Sequence, residues 1–151
     1  MNHSISLHEL REQVVYQLIV LGEEKNHFLD AYFPMHGKDR THMDQFLSTY
    51  TRTVEEQLAL TDLEVPAVVL IGSLVRITYL DDQSTDDYTI VYPNDADPEE
   101  NRISFLSPVG RQLLLKKAGD TLTIATPSGT LQVRIESIRA AAIKDNRGTL
   151  D

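Results

Sequence analysis

Cysteine is absent from the whole 151-residue chain. That excludes disulfides, thiolate metal sites and cysteine nucleophiles, and it fits a reducing compartment. A basic excess is also missing. The formal net charge is −9, with five Lys and Arg against ten Asp and Glu before Glu64, and nine against thirteen from there on. Neither half can neutralise a run of phosphates, so direct DNA or RNA binding is not expected as the main activity. The acidity reads as a source of solubility. Long apolar runs are missing too. The longest, Ala67 to Ile71, is far too short to cross a bilayer. The opening MNHSISLHELREQ has no basic stretch followed by an apolar run, so no signal peptide is expected and the chain reads as cytoplasmic, without a membrane partner. No phosphate-cradling glycine loop, dinucleotide fingerprint or nucleophile triad is visible, and no cofactor is expected.

What is present falls into two parts with different periods. From Ile5 to about Phe33, apolar residues recur at three- and four-residue steps: Leu7, Leu10, Val14, Leu18, Leu21, Phe28 and Tyr32, with Lys25 the one polar member. Ser6 and Glu9 have capping-box spacing, which starts the helix near Leu7. Gly22 weakens it by up to about 1 kcal/mol relative to alanine. Pro34-Met35-His36-Gly37 interrupts the pattern. A second stripe, Met43, Phe46, Leu47, Tyr50, Val54 and Leu58, predicts a helix from about Thr41 to Leu60. Two amphipathic helices joined by a short turn pack antiparallel, each burying its apolar face on the other, as a coiled-coil hairpin.

After Pro66 the period becomes two. Val75, Ile77 and Tyr79, then Tyr88, Ile90 and Tyr92, flank the polar DDQSTDD segment as a β-hairpin. Pro93 to Asn101 is a polar connection. Ser107-Pro108 opens a short helix through about Lys117, with Gly119 as its stop. Leu122 and Ile124, then Leu131, Val133 and Ile135, flank Pro127-Ser128-Gly129, a tight turn between strands. The expected fold class is α+β: a helical hairpin over 1–63, an antiparallel β-sheet domain with one short helix over 64–141, and a flexible polar tail over 142–151.

The stretch ISFLSPVGRQLLLKKAGDTLTIATPSGTLQVRIESI resembles the C-terminal domain of the Gre transcription elongation factors. The family pattern has a serine, two residues, Ser-Pro, an aliphatic, a small residue, and a helix ending in Gly-Asp. This chain supplies Ser104, Ser107, Pro108, Val109, Gly110, Leu113, Leu114, Gly119 and Asp120 in that register. Gln112 departs from it, since a small residue is usual there. The preceding YTIVYPNDADPEENRIS is similar to the family's strand and Ala-Asp-Pro connection, so the likeness runs from about Val68 to Ile138. The resemblance implies an FKBP-like fold for this half and docking on bacterial RNA polymerase at the rim of the secondary channel. By position, the polymerase-binding candidates are Ser104, Ser107 and Pro108, with Arg111 added as an exposed cation beside them. Ser107 and Pro108 would also serve as the cap and first residue of a helix whether or not they meet a partner.

In cleavage-stimulating members the hairpin tip is acidic, because carboxylates there help hold a second Mg²⁺ and an attacking water. Here the turn reads DAYFPMHGKDRTHMDQF. Asp39 is flanked by Lys38 and Arg40, cations that compete for its carboxylate. Asp39 and Asp44 are tip-acid candidates by location alone. No catalytic residue and no metal ligand is assigned, His27, His36 and His42 lacking a ligand spacing. The expectation is therefore a polymerase-binding regulator, not itself an enzyme and without efficient cleavage stimulation. The alternatives are a transcript-cleavage factor, or a protein-binding module whose partner meets Tyr32, Phe33 and Met35.

Overall fold

A computed structural model of the protein describes residues 6–60 and 66–141, the side chain of Leu60 excepted. The expected tail, 142–151, and the expected boundary between residues 63 and 64 lie outside the described residues. The described residues fall into two compact units, 6–60 and 66–141.

In the first unit, α1 (Leu7–Leu18) starts at a reciprocal cap. The Glu9 N–H donates to Ser6 Oγ at 3.0 Å and the Ser6 N–H to Glu9 Oε1 at 3.1 Å, satisfying two of the donors a helix start leaves open. The ladder then widens into a π-turn over Ile19–Glu23, where the Glu24 N–H reaches back five residues to the Ile19 carbonyl at 2.8 Å. Helix α2 (Lys25–Tyr32) continues from it. One extra residue in a turn rotates everything after it by roughly 100° on a helix of 3.6 residues per turn. This is why Leu29 is buried and Tyr32 is exposed, the reverse of what one unbroken helix from Ile5 to Phe33 would give. Leu7, also expected in the stripe, is 57% exposed at the first helical position, and the buried set is Leu10, Val14, Gln17 and Leu21.

Helix α3 (Lys38–Leu60) returns, beginning three residues before the expected Thr41 because the Thr41 N–H already bonds to the Gly37 carbonyl at 3.0 Å. It buries Met43, Leu47, Tyr50 and Val54, one stripe at four- and three-residue steps. Three cross-helix pairs set the antiparallel register. Tyr50 Oη donates to Gln17 Oε1 at 2.7 Å inside the core. Lys25 Nζ meets Ser48 Oγ at 2.9 Å and Asp44 at 2.6 Å, which explains a lysine in an apolar stripe: its stem packs while its head is paired. Arg40 pairs with Asp30 at 3.0 Å.

The second unit contains β1 (Ser73–Tyr79), β2 (Thr85–Val91), β3 (Arg102–Ser104), α4 (Pro108–Leu113), β4 (Thr121–Thr126) and β5 (Gly129–Ala140). The sheet order is β3-β2-β1-β5-β4. Four strands are antiparallel as expected, but β3 runs parallel to β2, so the sheet is mixed. The connection before β3 makes this possible. It contains two short 3₁₀ turns, Pro93–Asp95 and Pro98–Glu100, and Asn101 then adopts φ 56°. Asp97 and Arg102 exchange backbone bonds of 2.8 and 3.0 Å, closing the loop. Three residues are too few for strand alternation to show in a sequence.

The core is made by Val75, Ile77, Ile90, Ile124, Val133, Ile135 and Ile138, with Phe105, Leu113 and Leu114. The step from 135 to 138 follows from a bulge: Arg76 pairs with Ser137 and Ile77 with Ile135, leaving Glu136 as the extra residue. Thr78 Oγ1 and Arg134 both donate to Glu136, at 2.7 and 2.8 Å. These bonds, the Thr78 one foremost, hold its carboxyl below the usual range. Arg76 and Asp87 face each other across β1 and β2 and form two bonds of 2.8 and 3.1 Å. Helix α4 ends at Leu113, short of the expected Lys117. The backbone of Leu115 and Lys116 pairs instead with Val69, at 2.8 and 2.9 Å, with Leu115 at φ 69°.

Candidate docking surface

Ser104 is the last residue of β3, and the Phe105 N–H after it bonds to the Val91 carbonyl at 2.9 Å. From there the chain turns sharply. Ser104 Oγ accepts from the Leu106 N–H at 2.9 Å, and the Ser104 carbonyl accepts from the Ser107 N–H at 3.0 Å and from Ser107 Oγ at 2.7 Å. Ser107 Oγ in turn accepts from the Gly110 N–H at 3.1 Å, capping α4. Pro108 occupies the first helical turn, where its missing N–H costs nothing. Both hydroxyls thus bond to the backbone, while Pro108 and Arg111 are exposed. The four expected residues do come together, in two roles: the serines build the turn, and the proline and arginine form its outer surface.

Two residues carry more of this geometry than their sequence positions suggested. Gly110 is buried, and an added Cβ would overlap the Ser104 carbonyl oxygen and stand 3.1 Å from Ser107 Oγ. The helix lies on the turn so closely that only a hydrogen fits. Gln112, read from sequence only as a departure, bonds through its amide to both backbone groups of Ala125: Nε2 donates to the carbonyl at 2.8 Å and Oε1 accepts from the N–H at 2.9 Å. Its being large and polar where a small residue was expected was the one available signal.

At the end of the helical pair, Met35 is 80% exposed, and Arg40 Nη1 donates to the Phe33 carbonyl at 3.0 Å, closing α2. Asp39 is exposed in the first turn of α3. Asp44 is held by Lys25. Five residues apart on one helix, the two carboxylates point in different directions. Among the described residues no group of three or more His, Cys, Asp or Glu could hold a metal ion, and His27, His36 and His42 are separately exposed. No described helix is long and apolar enough to cross a membrane.

A helical pair followed by a mixed five-stranded sheet with a serine-capped, proline-led helix defines a two-part α+β protein. Residues 64–140 match the family described as transcription elongation factor, GreA/GreB, C-term. The chain belongs to the GreA/GreB family of transcription elongation factors. It is 43% identical over 76 residues to the transcription elongation factor GreA of Bacillus cereus, covering 50% of this chain and 48% of that protein. It is 40% identical over 104 residues to GreA of Thermomicrobium roseum, covering 65% of each. The chain thus spans from about half to just under two thirds of these relatives' length. Among solved structures, it is similar to a GreA/GreB factor from Nitrosomonas europaea (29% identity, TM-score 0.45, 66% of this chain and 92% of that one). It is also similar to GreA factor homolog 1 (Gfh1) of Thermus thermophilus (20% identity, TM-score 0.45, 88% of this chain and 94% of that one).

Proposed function

We propose that this protein docks on RNA polymerase at the rim of the secondary channel and modulates transcription without efficiently stimulating transcript cleavage. In this reading the 64–141 part binds through the surface bearing Ser104, Ser107, Pro108 and Arg111, and the 1–63 part acts as the helical effector, in the cytoplasm and without a cofactor. The observation that carries docking is the Ser107-capped turn, which spends its hydroxyls internally and turns Pro108 and Arg111 outward. Weak cleavage is supported by the state of the tip. Asp44 is engaged by Lys25, and a carboxylate already neutralised by an ammonium group attracts Mg²⁺ less.

Capture of purified core polymerase by the wild-type chain, repeated with Pro108→Glu, tests docking: wild type binds and the variant does not. No capture by wild type rejects the reading. A backtracked elongation complex then tests cleavage. RNA shortened from its 3′ end by the wild type, and not by the Asp39→Ala, Asp44→Ala double variant, would favour the cleavage-factor reading instead. The 80% exposure of Met35 favours a different protein partner at the tip if polymerase capture fails.

A further inference from the structure

Strand β4 is an edge of the sheet. An edge strand presents unpaired backbone groups, open to water or to another strand. At Ala125 both groups are taken by one side chain, the Gln112 amide, which behaves as a one-residue neighbouring strand. The same Nε2 also donates to the Pro108 carbonyl at 2.8 Å. One amide therefore joins the first residue of α4 to the sheet's outer edge.

Helix α4 is only six residues long, so its own hydrogen bonds hold it weakly. Its inner side is anchored by buried Leu113 and its start by the Ser104–Ser107 turn. Gly110 against the Ser104 carbonyl holds the inner side near the turn, and the side that carries Pro108 is tied to the sheet through Gln112, which bears on where Pro108 and Arg111 point. Residues four apart share a helix face, so Gln112 lies in the same row as Pro108, next to the surface that is to meet a partner.

We propose that Gln112 is a positioning residue for the docking surface: it locks the rotation of α4 by clamping Ala125 and Pro108 together. The inference rests on the docking reading above. Gln112→Met keeps the length of the side chain and removes all three bonds. Gln112→Glu keeps an acceptor for the Ala125 N–H but sets a carboxylate against two carbonyl oxygens. In the 151-residue chain, amide exchange at Ala125 reads the clamp directly, and the polymerase dissociation rate reads the docking surface. Ile138→Val, a core change on β5, serves as a control for stability alone.

Gln112→Met is expected to speed Ala125 exchange about tenfold, the scale of one lost hydrogen bond. Both Gln112 variants are expected to speed polymerase dissociation by about threefold or more, while Ile138→Val leaves dissociation unchanged. Wild-type binding with unaltered dissociation in both variants overturns this inference and leaves docking intact. Equal acceleration in Ile138→Val would also overturn it, by assigning the effect to general loosening. Failure of the wild type to bind polymerase overturns the docking reading and this inference together.

Discussion

Replacing Gly110 by alanine adds one methyl group where the backbone leaves no room for it. The new Cβ would overlap the Ser104 carbonyl oxygen and press on Ser107 Oγ at 3.1 Å. Relief requires α4 and the turn to separate by about 1 Å, since carbon packs against its neighbours at about 3.5–4.0 Å. The carbonyl cannot simply rotate, because it accepts from the Ser107 N–H and Oγ. Forcing an extra carbon into such a site costs about 1–3 kcal/mol. Weakening one of the associated hydrogen bonds costs about 1 kcal/mol more. The expected loss is therefore about 2–4 kcal/mol from the C-terminal unit. Urea unfolding followed through amide NMR signals of β5 isolates that unit, and a fall in midpoint at unchanged slope reads the loss. Polymerase capture should weaken in parallel. A Gly110→Ala protein within about 0.5 kcal/mol of wild type, which is the range of an inconsequential surface change, would refute the packing argument.

Gly22→Ala should do the opposite. Its Cβ would meet nothing nearer than Thr51 Cγ2 at 3.7 Å, so helix propensity decides and stability of the helical pair rises by up to about 1 kcal/mol in thermal unfolding. Tyr50→Phe removes the buried donor to Gln17 Oε1 and should cost the helical pair about 1–3 kcal/mol in the same assay. Acid should weaken the sheet. The Arg76 bonds hold the Asp87 carboxyl below its usual range, so that stabilisation is complete above the unfolded carboxylate range near ~4 and is lost as pH falls through the lower folded value. Arg76→Ala should flatten this part of the urea midpoint profile at low pH, and an unchanged slope would show that the pair contributes nothing.

Much of this architecture could be read from residue order, because it rests on strong local signals. The Ser6–Glu9 cap, the Pro34–Gly37 break and the β1, β2, β4 and β5 alternations appear where spacing and turn chemistry place them. The misplacements have two backbone causes: pairing between distant segments, and a local turn one residue wider than an α-helix. Leu115 and Lys116 leave the helix because Val69, more than forty residues earlier in the chain, offers a strand-like backbone pairing that no local propensity encodes. The π-turn moved Leu29 inward and Tyr32 outward, and a period read as continuous could not register one extra residue. At the Ser104–Ser107 turn, Ser107 and Pro108 were legible as a helix start. Gly110 was legible as small but not as indispensable, since the atom it must avoid belongs to a carbonyl six residues back. The Gln112 clamp showed only as a large polar residue where a small one was expected, because its partner, Ala125, lies on β4.

The helical pair is fastened by different means along its length. From Asp30 round the turn to His42 no residue is buried, and the ties there include Arg40 with Asp30 and with the Phe33 carbonyl, with Lys25 and Asp44 paired beyond them. Farther from the turn the ties are apolar side chains and the enclosed Tyr50–Gln17 bond. Dissolved ions screen exposed charges over about 10 Å at 0.1 M and leave hydrocarbon contacts largely untouched. High salt should therefore loosen the turn end of the helical pair more than the end held by buried side chains.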